Sequence, residues 1–252
     1  MARFFVSQNS VQDGKITITG PDVKHITRVL RLETGESIDV STGNGIEFVA
    51  VIREITSRAV DCEIITEKEL STEPPVKVTL YQGLPKGDKM ELIIQKSTEL
   101  GVDRIIPVIC ERTVVKLDIK KSEERQLRWQ RVAEEAAKQS RRTSIPVVSK
   151  PIRFEQAVEH LSPDVLAVMP WEKQVAGGMR HILKTNWETG RQVVLFIGPE
   201  GGFSPREALL AQTNGVHLVS LGPRIMRTET AGIVAVAVVL YELGDLGGKD
   251  DG

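Results

Sequence analysis

Apolar positions along this 252-residue chain follow two different rhythms. Over residues 1–70 the rhythm is mostly period two, as in half-buried strands. "KITITG" alternates, "ESIDV" follows, and "AVDCEII" sets Val60, Cys62 and Ile64 on one face. "STGNGIEFVAVI" feeds a strand from a Gly-Asn-Gly turn. One short helix interrupts them at "GPDVKHITRVLR". There Pro21 takes the first helical position, Asp22 the first turn, and Val23, Ile26 and Leu30 form the apolar stripe. Several short strands around one helix predict a small β-barrel-like domain over 1–70.

Charge, serine, threonine and a Pro-Pro pair then break the pattern, which predicts a linker at 71–76. From 77 to 244 strands and helices alternate. "VKVTLYQGL", "RIIPVI", "DVLAVMP", "QVVLFIG" and "VHLVSLG" are apolar enough for strands covered on both faces. Between them "KGDKMELIIQKSTELG" carries Met90, Ile94, Ser97 and Leu100 inward and ends on Gly101. Pro107 is expected at a sheet edge or bend, because it cannot donate to a ladder. The expected fold class is α/β: a parallel sheet with helices on both faces, preceded by the small barrel. The glycine-rich tail 245–252 is expected to be disordered.

Ligands of open parallel sheets bind beyond the carboxyl ends of the strands. Two such ends carry Gly-Pro loops, "FIGPEGGFSPREALLAQ" and "LGPRIMRTETAG". A phosphate cradle is disfavoured in the first. Neither G-x-x-x-x-G-K-[ST] nor G-x-G-x-x-G is present, and Glu200 places a carboxylate in the loop. Ser204-Pro205-Arg206-Glu207 also spells a capping box, which uses the helix donors a phosphate would need. Two adjacent loops of this kind predict a pocket for a flat, partly apolar ligand such as an adenosine. Arg224, Arg227, Glu229 and two threonines would supply its polar groups.

Composition narrows the classes further. The net charge of −1 excludes a polycation but leaves local basic faces open. Cys62 and Cys110 stand alone in apolar stretches and the four histidines lack ligand spacing, so neither a disulfide framework nor a metal site is expected. No signal-peptide pattern opens the chain, and "AGIVAVAVVLYELG" is too short to span a bilayer. A cytoplasmic protein without membrane attachment is the expectation.

The two loops, together with "HITRVLRLETG", "KGDKMELIIQKSTELGVDRIIPV" and "EEAAKQSRRTSIPVV", resemble the SPOUT methyltransferases, specifically the uracil-N3 methyltransferases of bacterial small-subunit ribosomal RNA. The resemblance covers nearly the whole chain. It implies S-adenosylmethionine held in a deep C-terminal trefoil knot, a PUA-like first domain that helps bind RNA, and a homodimer acting on 16S ribosomal RNA, within the assembled small subunit. Cofactor contacts are then expected at Met169, Pro170, Gly198, Glu200, Gly201, Leu221, Gly222, Met226 and Thr228. Arg227 is the candidate for stabilising negative charge on the base, and Glu229 or Glu200 for accepting the N3 proton. No metal is needed, since a sulfonium already makes its methyl group electrophilic.

Phosphate contacts are expected from Arg3, Lys24, His25, Arg28 and Arg31 in the small domain, and from Lys86, Lys89, Arg141 and Arg142 in the large one. Two other readings stay open. One is a SPOUT enzyme acting on a ribose 2′-oxygen or a tRNA base, although "QGLPKGDKMEL" lacks the Asn-Arg motif typical of the ribose enzymes. The other is a non-catalytic RNA-binding assembly factor.

Overall fold

A computed structural model describes residues 2–68, 72–115, 119–174 and 177–248. Backbone contacts divide the chain into two compact units, Met1–Glu73 with Ala137–Ile145, and Pro74–Ala136 with Pro146–Gly252.

In the first unit the strands are β1 (Arg3–Phe5), β2 (Val11–Gln12), β3 (Lys15–Thr19), β4 (Ser37–Ser41), β5 (Glu47–Ile55) and β6 (Ala59–Glu67), with α1 (Pro21–Lys24) after β3. They form one sheet in the order β1-β4-β5-β6-β3-β2. The β1–β4 pair is parallel, while β4–β5, β5–β6, β6–β3 and β3–β2 are antiparallel. The alternation in β3 is realised as written: Ile16 and Ile18 are buried, whereas Lys15, Thr17 and Thr19 are exposed. With Phe4, Ile38, Val40, Ile52, Val60 and Cys62 they make this unit's core.

Leu30 departs from its expected place. After α1 the chain winds as a π-helical turn over His25–Leu30 and stops at Arg31, whose φ of 56° is left-handed. A π turn advances more residues per revolution than an α turn, so the position four after Ile26 rotates off the apolar face. Val23 and Ile26 are buried, but Leu30 is 39% exposed and Val29 67%.

Segment Ala137–Ile145 is tied into this unit by backbone. Gly45 N–H donates to the Thr143 carbonyl at 3.1 Å, and Ile145 N–H donates to Gly43 at 3.1 Å. The buried Ser41 hydroxyl adds a third bond, also to Thr143 O, at 2.8 Å.

The second unit runs β7 (Val78–Gly83), α2 (Lys89–Leu100), β8 (Arg104–Ile109), α3 (Ile119–Gln139), β9 (Val147–Val148), β10 (Ile152–Arg153), α4 (Phe154–Glu159) and β11 (Leu166–Pro170). It continues with α5 (Met179–Asn186), β12 (Val193–Ile197), α6 (Pro205–Thr213), β13 (His217–Val219) and α7 (Thr228–Glu242). Its sheet has the order β10-β8-β7-β12-β11-β13, with β9 also on β8. All of its pairs are parallel.

Period two sends each strand's side chains to opposite faces. In β12, Val193, Leu195 and Ile197 join residues of α2, α3, α5 and α7 in one core. Val194 and Phe196 join α4 and α6 in the other. Pro107 lies inside the sheet rather than at an edge. It is accommodated because β9 pairs with Arg104 and Ile105, and β10 with Val108 and Ile109, which leaves a gap in the ladder between them.

At the chain end, Asp245 and Leu246 donate backbone N–H groups to Leu240 O at 2.9 and 3.2 Å, and Leu246 packs on the core. That much of the expected disordered tail is a turn closing α7, while 249–252 lie outside the described residues. Among the described residues no helix is long and apolar enough to cross a membrane.

Candidate functional site

Strand order brings the carboxyl ends of β7, β12, β11 and β13 side by side. The β12–α6 loop, residues 198–204, is held from below by the expected capping box. The Ser204 hydroxyl accepts from Glu207 N–H at 3.2 Å, and the Glu207 carboxylate accepts from Ser204 N–H at 2.8 Å. Glu207 also accepts from Glu111 N–H at 2.8 Å, and Ser204 donates to the Glu111 carboxylate at 2.7 Å. Those donors are therefore occupied, and an added phosphate would face the carboxylates of Glu111 and Glu207. Arg112 fixes the loop crest through a 2.8 Å bond to Gly201 O.

The β13–α7 loop lies beside it. Gly222 takes φ 123°, a conformation that favours glycine, and its N–H donates to the Ser220 hydroxyl at 3.1 Å. Arg227 is extended at the N-cap of α7. The next residue joins the two loops, because the Thr228 hydroxyl donates to Gly198 O at 2.5 Å. A third wall comes from the end of β11 and the residues after it, where Trp171 N–H donates to Val219 O at 3.0 Å.

These elements enclose a cleft of about 1070 Å³. Eight of the residues expected at a cofactor line it: Pro170, Gly198, Glu200, Gly201, Leu221, Gly222, Met226 and Thr228. Arg227 lines it as well, exposed and with no side-chain partner among the described residues. Met169 does not. Its position in β11 turns the side chain into the α4–α6 core, where it is fully buried.

The charges around the cleft are largely committed. Lys89, at the start of α2, reaches Glu200 at 3.0 Å and Glu229 at 3.5 Å. Burial alone would raise the Glu200 carboxyl, but hydrogen bonds from Lys89 and from Lys86 N–H outweigh it and hold the group below its ordinary value. The same bond to Glu200 leads the effects that raise the Lys89 ammonium. Glu229 is mostly buried against Lys89 and is absent from the cleft lining, so it does not face the ligand space. Glu172 does face it, with no side-chain partner among the described residues, and its oxygens lie 3.1–3.2 Å from where a Cβ on Gly202 would stand. Among the described residues no group of three or more metal-ligating side chains is present.

A family model for an RNA methyltransferase domain matches residues 72–240, and one for an RNA methyltransferase PUA domain matches 18–65. Ribosomal RNA small subunit methyltransferase E of Bacillus subtilis is 35% identical over 249 residues, covering 96% of this chain and 97% of its own. The chain belongs to the ribosomal RNA small subunit methyltransferase E family. A crystal structure of such a methyltransferase from Neisseria gonorrhoeae, bound to S-adenosyl methionine, matches with a TM-score of 0.85 at 31% identity, over 98% of this chain and 99% of that one. A methyltransferase from Legionella pneumophila, solved in complex with the same cofactor, matches at 0.81 and 33%, over 95% and 96%.

In this methyltransferase the basic residues divide into three groups. Lys24, His25, Arg28, Arg31, Lys86 and Arg141 have exposed side chains. Arg3 and Arg142 are instead structural. Arg3 is nearly buried, pairs with Glu47 at 2.5 Å, and donates to the carbonyls of Arg141 and Arg142. Arg142 is 5% exposed and pairs with Glu73, whose carboxylate also accepts the N–H groups of Thr143 and Ser144 at 2.9 Å each. A guanidinium so engaged has no free fork for a phosphate. Lys89 belongs to the cleft wall.

The sequence reading missed Trp171, Glu172, Gln174, Gly178 and Ser220 among the lining residues. The signal for Trp171 and Glu172 was available, since both follow directly on the end of β11. Gly178 and Ser220 meet through an isolated bridge between distant segments, which leaves no local trace.

Proposed function

We propose that this protein methylates N3 of a uridine in 16S ribosomal RNA, using S-adenosylmethionine. The carrying observation is a cleft at the sheet's carboxyl end, walled by backbone amides and carbonyls, whose adjoining helix start is already capped. Such walls suit the neutral adenine and ribose of the donor, and the Glu172 carboxylate, without a side-chain partner among the described residues, suits its positive charge. When bound, S-adenosylmethionine supplies a methyl group on a cationic sulfur, open to in-line attack by a ring nitrogen.

Uracil N3 carries a proton at neutral pH, and its loss spreads negative charge over the two ring carbonyl oxygens. Arg227 answers that charge: its guanidinium is exposed at the cleft and unpaired among the described residues. Glu200 is hydrogen-bonded to Lys89 and held ionised, which makes it a weak base, while Glu229 is mostly buried at 3.5 Å from the same ammonium. We therefore assign Glu200 to the cleft wall and Glu229 to the support of Lys89 behind it, and release the N3 proton to solvent.

The substrate reading extends to the assembled small subunit in the cytoplasm, with the exposed Lys24, His25, Arg28, Arg31, Lys86 and Arg141 following phosphates. We further propose a deep trefoil knot in the last third of the chain and a homodimer. Support for the dimer is the outer side of α7, where Ile233, Val234, Ala237 and Val238 are only half-buried and Tyr241 is 63% exposed.

Single-turnover methylation, paired with calorimetry of S-adenosylmethionine binding, tests Arg227. Arg227→Ala should bind the donor like the wild type and react about 10²–10³-fold more slowly. A near wild-type rate would overturn the assignment.

A further inference from the structure

The side chain of Gln82, near the end of β7, is fully buried against Gly232 of α7 and beside Ile93 of α2. Its Nε2 donates to Gly83 O at 3.1 Å and to the Thr228 hydroxyl at 2.9 Å. A carbonyl only accepts, so the contact with Gly83 fixes the amide's orientation, with nitrogen toward Thr228. A threonine hydroxyl has one proton. Because it accepts from Gln82, that proton is free for Gly198 O, which it reaches at 2.5 Å. The other end of the amide is wedged: Oε1 is buried with no hydrogen-bond partner among the described residues, 2.7 Å from where a Cβ on Gly232 would stand. The amide of Gln82 thus has one orientation, with both donated bonds on its nitrogen side, and Gly232 supplies the room for its oxygen.

The three connected groups belong to three different elements. Gly198 begins the first cleft loop, Thr228 begins α7, and Gly83 ends β7 so close to that loop that an added Cβ would lie 2.5 Å from Pro199 N. Arg227 directly precedes Thr228, so a displacement of the threonine also moves the N-cap that carries the guanidinium.

We infer that Gln82 is a positioning residue for the methyl-transfer site, setting the Gly198 carbonyl and the start of α7 at one fixed separation through the Thr228 hydroxyl. This rests on the donor-binding reading of the cleft. Gln82 touches no ligand and acts through Thr228.

The test uses the full chain, with S-adenosylmethionine affinity by calorimetry, kcat and KM for methyl transfer, and thermal midpoints. The proteins are wild type, Gln82→Met, Thr228→Val, their double variant, and Thr228→Ser. Each of the first two single variants should weaken donor binding about tenfold, the effect of one net hydrogen bond. The double variant should be no worse than about threefold beyond either single, because one relay has been broken twice. Thr228→Ser, which keeps the hydroxyl, should recover most of the affinity that Thr228→Val loses. Should Gln82→Met fail to fold, Thr228→Val against Thr228→Ser still decides whether the hydroxyl matters. Donor affinity unchanged in Gln82→Met while its midpoint falls would reduce the residue to packing and overturn the inference. So would losses that multiply to about 100-fold in the double variant. Failure of the wild type to bind the donor would instead overturn the proposed function.

Discussion

Gly232 sits in the interior of α7, where alanine would ordinarily be the better residue. Replacing an interior helix glycine with alanine gains about 0.8–1.0 kcal/mol. Here the new methyl would stand 2.7 Å from Gln82 Oε1, with its next neighbour, Ile93 Cγ2, at an ordinary 3.8 Å. Among the described residues the obstacle is thus the end of one side chain, which must swing away and give up its bonds to Gly83 O and Thr228. Two such bonds contribute about 2 kcal/mol together, so Gly232→Ala should destabilise the protein by about 1 kcal/mol net. For a chain of this size that lowers the melting temperature by about 2–4 °C. In a Gln82→Ala background the obstacle is gone, and the same substitution should raise the melting temperature by about 2–4 °C relative to Gln82→Ala alone. Thermal melts of the four proteins by circular dichroism measure both differences. Equal stabilisation in both backgrounds would refute the reasoning, because it would mean that Oε1 does not lie against Gly232.

Three other outcomes follow from the same geometry. Ser204→Ala removes the N-cap of α6 and leaves the Glu111 carboxylate without its donor, so urea unfolding should show a loss of about 1–2 kcal/mol; a change below about 0.3 kcal/mol would contradict the capping account. Lys89→Met should lower the melting temperature only within a pH window. Glu200 has a lowered pKa, so its share of the wild-type advantage is lost as pH falls through that value, below the ordinary 4.5. Lys89 has a raised pKa, so its share is lost as pH rises through that value, above the ordinary 10.5. A wild-type advantage that ignored pH at both ends would refute the ion cluster. Finally, burial pushes the Cys62 thiol up to about 11 and raises Cys110 further. Neither should react with a thiol reagent at about pH 8 until urea unfolds the chain, and fast labelling of the native protein would be inconsistent with their burial.

Much of this architecture was written locally. The spacing of Ser204 and Glu207 announced the cap, Gly101 announced the end of α2, and the unbroken apolar runs announced strands covered on both faces. The two cleft loops were visible for the same reason, since each follows directly on an apolar strand. Part of what escaped depended on partners distant in sequence, and part on local departures from the expected period or face. Arg3 and Arg142 looked like free cations because Glu47 and Glu73 lie far along the chain. Met169 and Pro170 are neighbours, yet strand alternation buries one in the core and turns the other to the cleft. Leu30 was misplaced because a π turn changes the period after two residues that fit the α period well. Gln82 carried no signal at all, because its meaning comes from Thr228, 146 positions later in the chain.

The most direct measurement is to supply the protein with S-adenosylmethionine labelled on its methyl group, together with unmethylated small ribosomal subunits and, in parallel, naked 16S RNA. Digestion to nucleosides then identifies the labelled product. The account predicts label in 3-methyluridine from the assembled subunits. Label on a ribose, or transfer to tRNA alone, would contradict it.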